Sequence, residues 1–164
     1  MITNSRGEEI RWVKCNEPVS REIVQNVEEH FDVKFPELYV EIVQHYNGGV
    51  PRPNDFQVPT FYGTTTFSYL TPINDGVWPN GREYQGMIRS NDELRRFRPW
   101  PKNVFMFSDD GGELLICFDY RNVPPDKPDE PQIILIESNG TEHFVCNTFA
   151  ELIASLHDAP DEVD

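Results

Sequence analysis

FPELYVEIVQHYNGG, residues Phe35 to Gly49, specifies a helix start, a buried face and a helix stop within one short stretch. Pro36 suits the first helical position, where its missing N–H costs nothing, and Tyr39, Ile42, Val43 and Tyr46 recur at i, i+3, i+4 and i+7. Asn47-Gly48-Gly49 then closes the helix, because Asn and Gly tolerate the left-handed conformation and a second glycine releases the chain into a loop. Upstream, Ser20 is placed to cap a first helix, with Glu22 complementing its dipole and Ile23, Val24, Val27 and Phe31 forming its apolar stripe. The two helices follow each other within a few residues, which predicts an antiparallel helical hairpin. Before them, residues 9–14 alternate loosely around Ile10, Trp12 and Val13 and read as a strand or a helix extension.

Downstream the signals change. Pro51, Pro53, Pro59, Pro72 and Pro79 interrupt a run rich in Phe, Tyr and Trp, in which short strands fit Phe56 to Phe61 and Thr65 to Leu70. Ser90-Asn91-Asp92-Glu93 reads as a capping box opening a short helix through Leu94 and Phe97, stopped by Pro99. Val104 to Phe107 and Leu114 to Tyr120 read as strands joined by a tight Asp109-Asp110-Gly111-Gly112 hairpin. Gln132 to Glu137 and Thr141 to Cys146 flank Asn139-Gly140, a second hairpin, and the proline-rich segment 122–131 between them is an exposed loop. Thr148 and Glu151 form another capping box ahead of Phe149, Leu152, Ile153 and Leu156. The expected fold is α+β: one domain over 1–164, with an antiparallel-rich mixed sheet packed by the N-terminal helical hairpin and the C-terminal helix. Residues 1–19 are expected to form an N-terminal extension and 158–164 a frayed acidic tail.

A chain of 164 residues buries roughly 70% of the surface it exposes when unfolded, so it can build a true core. Lys and Arg total 14 against 28 Asp and Glu, and the net charge of -14 argues against a general nucleic-acid or membrane binder and favours a basic partner. Solubility alone is an equal explanation of that charge. No apolar run approaches the length of a membrane span, and a cytoplasmic location is expected. Cys15, Cys117 and Cys146 are odd in number, widely spaced and set among apolar or strand-like neighbours, which favours reduced core thiols over bridges.

Three ordered blocks resemble the SUKH superfamily, named partly after yeast cell-wall assembly regulators and rich in bacterial immunity proteins. They are Phe35-Pro36 with Leu38-Tyr39 leading to Tyr46-Asn47-Gly48-Gly49, then Phe107 to Gly112 leading to Cys117-Phe118-Asp119-Tyr120, and finally Thr148-Phe149 opening the last helix. The resemblance spans about residues 20 to 157 and makes Pro36, Tyr39, Asn47, Gly48, Gly49, Gly111, Gly112, Asp119 and Phe149 its motif positions. At Glu113-Leu114 the chain departs from the family pattern, which has a further Gly and a polar residue there. The resemblance implies a mostly non-enzymatic domain that binds proteins: an immunity protein neutralising a cognate toxin, or a scaffold or regulator of intracellular or cell-wall assembly.

Candidate chemistry is sparse. Asp109, Asp110, Glu113 and Asp119 are the densest acids, but they lack the spacing of a calcium loop and read as turn formers, so no metal or other cofactor is expected. His30, His45, His143 and His157 show no ligand spacing, and no nucleophile or phosphate-loop motif is present. A hydrolase using Asp109, Asp119 or His143 is the third reading, behind immunity and scaffolding, and no catalytic residue is assigned. The expected protein-binding residues are Asp55, Tyr62, Tyr69, Asp75, Trp78, Glu83, Asp109, Asp110 and Glu113, aromatics ringed by acids that suit a basic protein toxin. Filling of a core beneath an irregular loop explains those aromatics equally well. A monomer is expected.

Overall fold

The computed structural model describes residues 1–61 and 63–159. Strand β1 (Arg11–Val13) precedes helices α1 (Arg21–Phe31) and α2 (Glu37–Tyr46). Five short strands follow: β2 (Val50–Arg52), β3 (Asp55–Gln57), β4 (Thr64–Thr66), β5 (Gly76–Val77) and β6 (Glu83–Tyr84). Helix α3 (Met87–Phe97) leads into β7 (Val104–Asp109), β8 (Leu115–Asp119), β9 (Gln132–Ile136) and β10 (Glu142–Cys146), and α4 (Phe149–Ser155) follows. The last four strands form an antiparallel sheet in the order β10-β9-β8-β7, and β1–β2, β3–β4 and β5–β6 pair separately. This is the expected α+β architecture. No helix among the described residues is long and apolar enough to cross a membrane.

Local signals explain the helices. The Ser20 hydroxyl accepts the Ile23 N–H at 3.3 Å, and Asp32, in the left-handed region at φ 54°, terminates α1. Val24, Val27 and Phe31 are buried, whereas Ile23 of the expected stripe is exposed. Pro36 lies one residue earlier than expected, as the cap of α2: its extended ψ of 137° delays the first helical residue to Glu37. Gly48 alone supplies the left-handed turn at φ +70°, while Asn47 stays at negative φ and works through its side chain. Its buried Oδ1 accepts the Ile73 N–H at 2.8 Å, tying the helix stop to the loop after β4. Tyr46, the fourth position of the apolar series, is exposed and stacks on Trp12 of β1 instead of entering the core. Ile10, Trp12 and Val19 are buried in the main apolar cluster.

Helix α3 corrects the capping-box reading. It begins at Met87 with Gly86 as its cap, so Ser90 sits in the helix interior. The start is drawn back because Met87 and Asn91, one turn apart, are both fully buried. A Cβ at Gly86 would lie 2.5 Å from the Asn74 carbonyl carbon, and the Gly86 N–H is taken by Asp75 Oδ1 at 2.7 Å. The β7–β8 connection is also longer than a tight hairpin. Asp109 pairs with Leu115, leaving five residues between them, with Gly111 at φ +85°. Strands β3 and β4 are shorter than their β-branched and aromatic runs suggest, and α4 is capped by Thr148, whose Oγ1 accepts the Glu151 N–H at 3.2 Å, while the Glu151 carboxylate reaches past the cap to the Asn147 N–H at 3.0 Å.

Helices α1, α2 and α4 contribute to the same apolar cluster as Phe105, Phe107, Ile116, Phe118, Ile133 and Leu135 from one face of the sheet. At its centre Phe107 stacks on Phe118 at 4.1 Å, and Tyr39 and Phe149 meet Phe118 edge-on at 5.0 and 5.9 Å. The Tyr39 hydroxyl is buried there without a hydrogen-bond partner among the described residues, and burial pushes its pKa well up. An unmade bond of this kind costs about 1–3 kcal/mol, so Tyr39→Phe is expected to leave stability unchanged or raise it by about 1 kcal/mol in urea unfolding. A loss of similar size would reveal a partner for the hydroxyl.

All three cysteines are free. Cys117 is buried and Cys146 half-buried, its thiol pushed up to about 12 by burial. Cys15 corrects the core-thiol reading: it is exposed, because Lys14 at φ 56° turns the chain outward after β1.

Candidate functional site

The aromatic residues from Phe56 to Tyr84 divide between the two roles open to them. Phe56 and Phe67 are fully buried in the core, while Tyr69 is exposed and Trp78 half-buried against Tyr84 at 4.7 Å. Phe61 packs on the His143 ring at 4.6 Å. Tyr62 lies outside the described residues, as does the 160–164 part of the acidic tail.

Most of the expected acids are engaged within the chain. Asp55 is buried and accepts the Thr66 and Thr64 hydroxyls at 3.1 and 3.4 Å, which fixes β3 to β4. Asp109 accepts the Ser68 hydroxyl and the Gly111 N–H, and Asp110 accepts the N–H groups of Gly112 and Leu114 at 2.8 and 3.1 Å. These carboxylates build the turn. Asp119 is buried against Arg121 at 2.9 Å, and the same guanidinium reaches Glu142, so two carboxylates hold the arginine pKa high. Glu83 and Glu113 are exposed, as is Asp75 beside the cap of α3. Tyr69 lies beside the β7–β8 turn, where burial and the charge of Asp109 push its phenol up. Trp78 and Glu83 border a separate hollow of about 470 Å³ on the β5–β6 hairpin.

His143 is held by Glu137 at 2.8 Å and Thr60 at 3.3 Å beneath Phe61. The arrangement fastens the β3–β4 hairpin to β10. Among the described residues no three His, Cys, Asp or Glu side chains converge as metal ligands would.

A wider concavity lies elsewhere. A cleft of about 830 Å³ opens between the end of α1, the start of α2 and the 122–131 loop. Glu28, Glu29, Asp32, Glu37 and Asp129 line it, against Arg21 and Lys34. Arg21 is paired with Glu37 at 2.9 Å, which lowers the carboxyl pKa of Glu37. Among the described residues no ion pair holds Glu28, Glu29, Asp32 or Asp129. Val33, Val123 and Pro128 supply apolar walls, and the Tyr120 hydroxyl donates to the Lys34 carbonyl at 2.6 Å. Carboxylates therefore outnumber cations around a concave, partly apolar surface, which carries part of the excess negative charge of the chain.

Sequence reading missed this cleft, although one signal for it was present. Glu28, Glu29 and Asp32 crowd the C-terminal end of α1, where the helix dipole disfavours negative charge. Asp129 joins them only through the fold. No curated protein matches the chain. The model of the SMI1 / KNR4 family (SUKH-1) matches residues 18–155, which covers the helical hairpin, the four-stranded sheet and α4, and the chain belongs to that family.

Proposed function

We propose that this SUKH domain is an immunity protein, which neutralises a cognate protein toxin by covering its functional surface. The observation that carries this reading is the set of unpaired carboxylates on a concave face of a chain with a net charge of -14. A toxin acting on nucleic acid needs a basic surface, and an acidic counterface speeds encounter and excludes the substrate. The protein supplies complementarity and no reacting group of its own. It works in the cytoplasm, where such a toxin would act, as a monovalent binder.

Co-expression with the toxin-like gene beside its own is expected to restore growth to cells that the toxin alone kills. The purified pair should associate with an affinity that falls steeply as salt rises from 50 to 500 mM. Continued killing, with no binding of any neighbour-encoded toxin, would refute the proposal.

A further inference from the structure

We infer that the cleft between α1, α2 and the 122–131 loop receives an arginine- or lysine-bearing extended segment of the partner protein. The inference rests on the protein-binding reading above and assigns it a place and a ligand chemistry. Three observations meet at this spot. First, the cavity of about 830 Å³ has the size of a ligand cleft and opens between α1, α2 and the 122–131 loop. Second, Glu29, Asp32 and Asp129 make no ion pair and no side-chain hydrogen bond among the described residues, and Glu28 spends one oxygen on the Phe35 N–H at 2.7 Å. By contrast, Asp55, Asp109, Asp110 and Asp119 have structural partners.

Third, the carboxylates of α1 sit at the wrong end of their helix. Glu28 and Glu29 occupy its last turn and Asp32 its cap, where the C-terminal carbonyls already concentrate negative charge. Local stability therefore disfavours these charges, and a bound cation would relieve both their mutual repulsion and the opposed dipole.

The walls choose among cations. Metal binding needs converging oxygens, and the described residues hold no such group. Val33, Val123 and Pro128 suit the aliphatic stems of arginine or lysine, whose heads then reach the rim carboxylates. A small polyamine lacks the backbone that would use the remaining volume.

Hexa-arginine peptide titrated into the full chain tests this directly. Amide shifts should be confined to residues lining the cleft. The variant Glu29→Gln/Asp32→Asn/Asp129→Asn should weaken binding at least tenfold. The charge-matched variant Glu41→Gln/Glu83→Gln/Glu113→Gln, at exposed positions outside the cleft, should weaken it less than threefold. Equal losses in the two variants would show attraction to net charge only, and a larger loss in the second would move the site to the β7–β8 turn and the β5–β6 hairpin. Either result overturns the inference, as does spermine binding as tightly as the peptide. If the cleft variant fails to fold, the shift map of the unaltered chain decides alone, and shifts spread over the surface overturn the inference. A cognate toxin bound equally by wild type and a folded cleft variant ends this inference but not the immunity function. Hexa-arginine seated in the cleft with no toxin found does the reverse.

Discussion

Phe118→Ala is expected to lower the free energy of unfolding by about 3–5 kcal/mol, the range for emptying a buried aromatic site that cannot collapse. Its ring is fully buried and touches the rings of Phe107, Tyr39, Phe149 and Phe35, with centroids 4.1 to 5.9 Å away. These neighbours come from α2, α4, β7 and the chain ahead of α2. A cavity there loosens the packing of the sheet against two helices at once. Urea unfolding measures the loss, with Phe144→Ala as the comparison: Phe144 on β10 is half-exposed, and its removal should cost under about 1 kcal/mol. Similar losses at the two positions would mean that the aromatic cluster does not hold the core together.

Asn91→Leu should cost about 2–4 kcal/mol although it places an apolar side chain of similar size at a fully buried position. β7 is an edge strand of the four-stranded sheet, and at Met106 the side chain of Asn91 acts as its missing neighbour. The Met106 N–H donates to Asn91 Oδ1 at 2.7 Å, and Asn91 Nδ2 donates to the carbonyls of Met106 and Met87 at 3.0 and 2.9 Å. Leucine would bury the two peptide groups of Met106 without partners. The Met106 amide should then exchange with solvent far faster than in the unaltered chain. A loss below about 1 kcal/mol with unchanged exchange would show that water or a shifted backbone replaces the amide.

Nothing in the sequence announced this role. Within Ser90-Asn91-Asp92-Glu93 the short-range pattern pointed to a helix cap, and the burial of Asn91 together with Met87 one turn earlier overrode it. Asn47 behaves in the same way: its local chemistry marked a helix stop, but the structure uses its amide to hold the Ile73 backbone across 26 residues. The candidate surface was least legible. Asp55 looked like a displayed charge and instead ties β3 to β4, while Asp109 and Asp110, expected both as turn formers and as binding residues, build the turn.

What the sequence determined by itself were the features set within a few residues: the Ser20 and Thr148 caps, the buried faces of α1, α2 and α4 apart from Ile23 and Tyr46, the Asn139-Gly140 turn and the succession of elements that marks the family. Backbone hydrogen bonds and side-chain periodicity act over one or two turns, so a linear reading reaches them. Only the tertiary structure decided which carboxylates stay free, because that depends on partners arriving from distant segments. Glu29 and Asp129 are a hundred residues apart along the chain, and they share one cleft only because the 122–131 loop folds back against the helical hairpin.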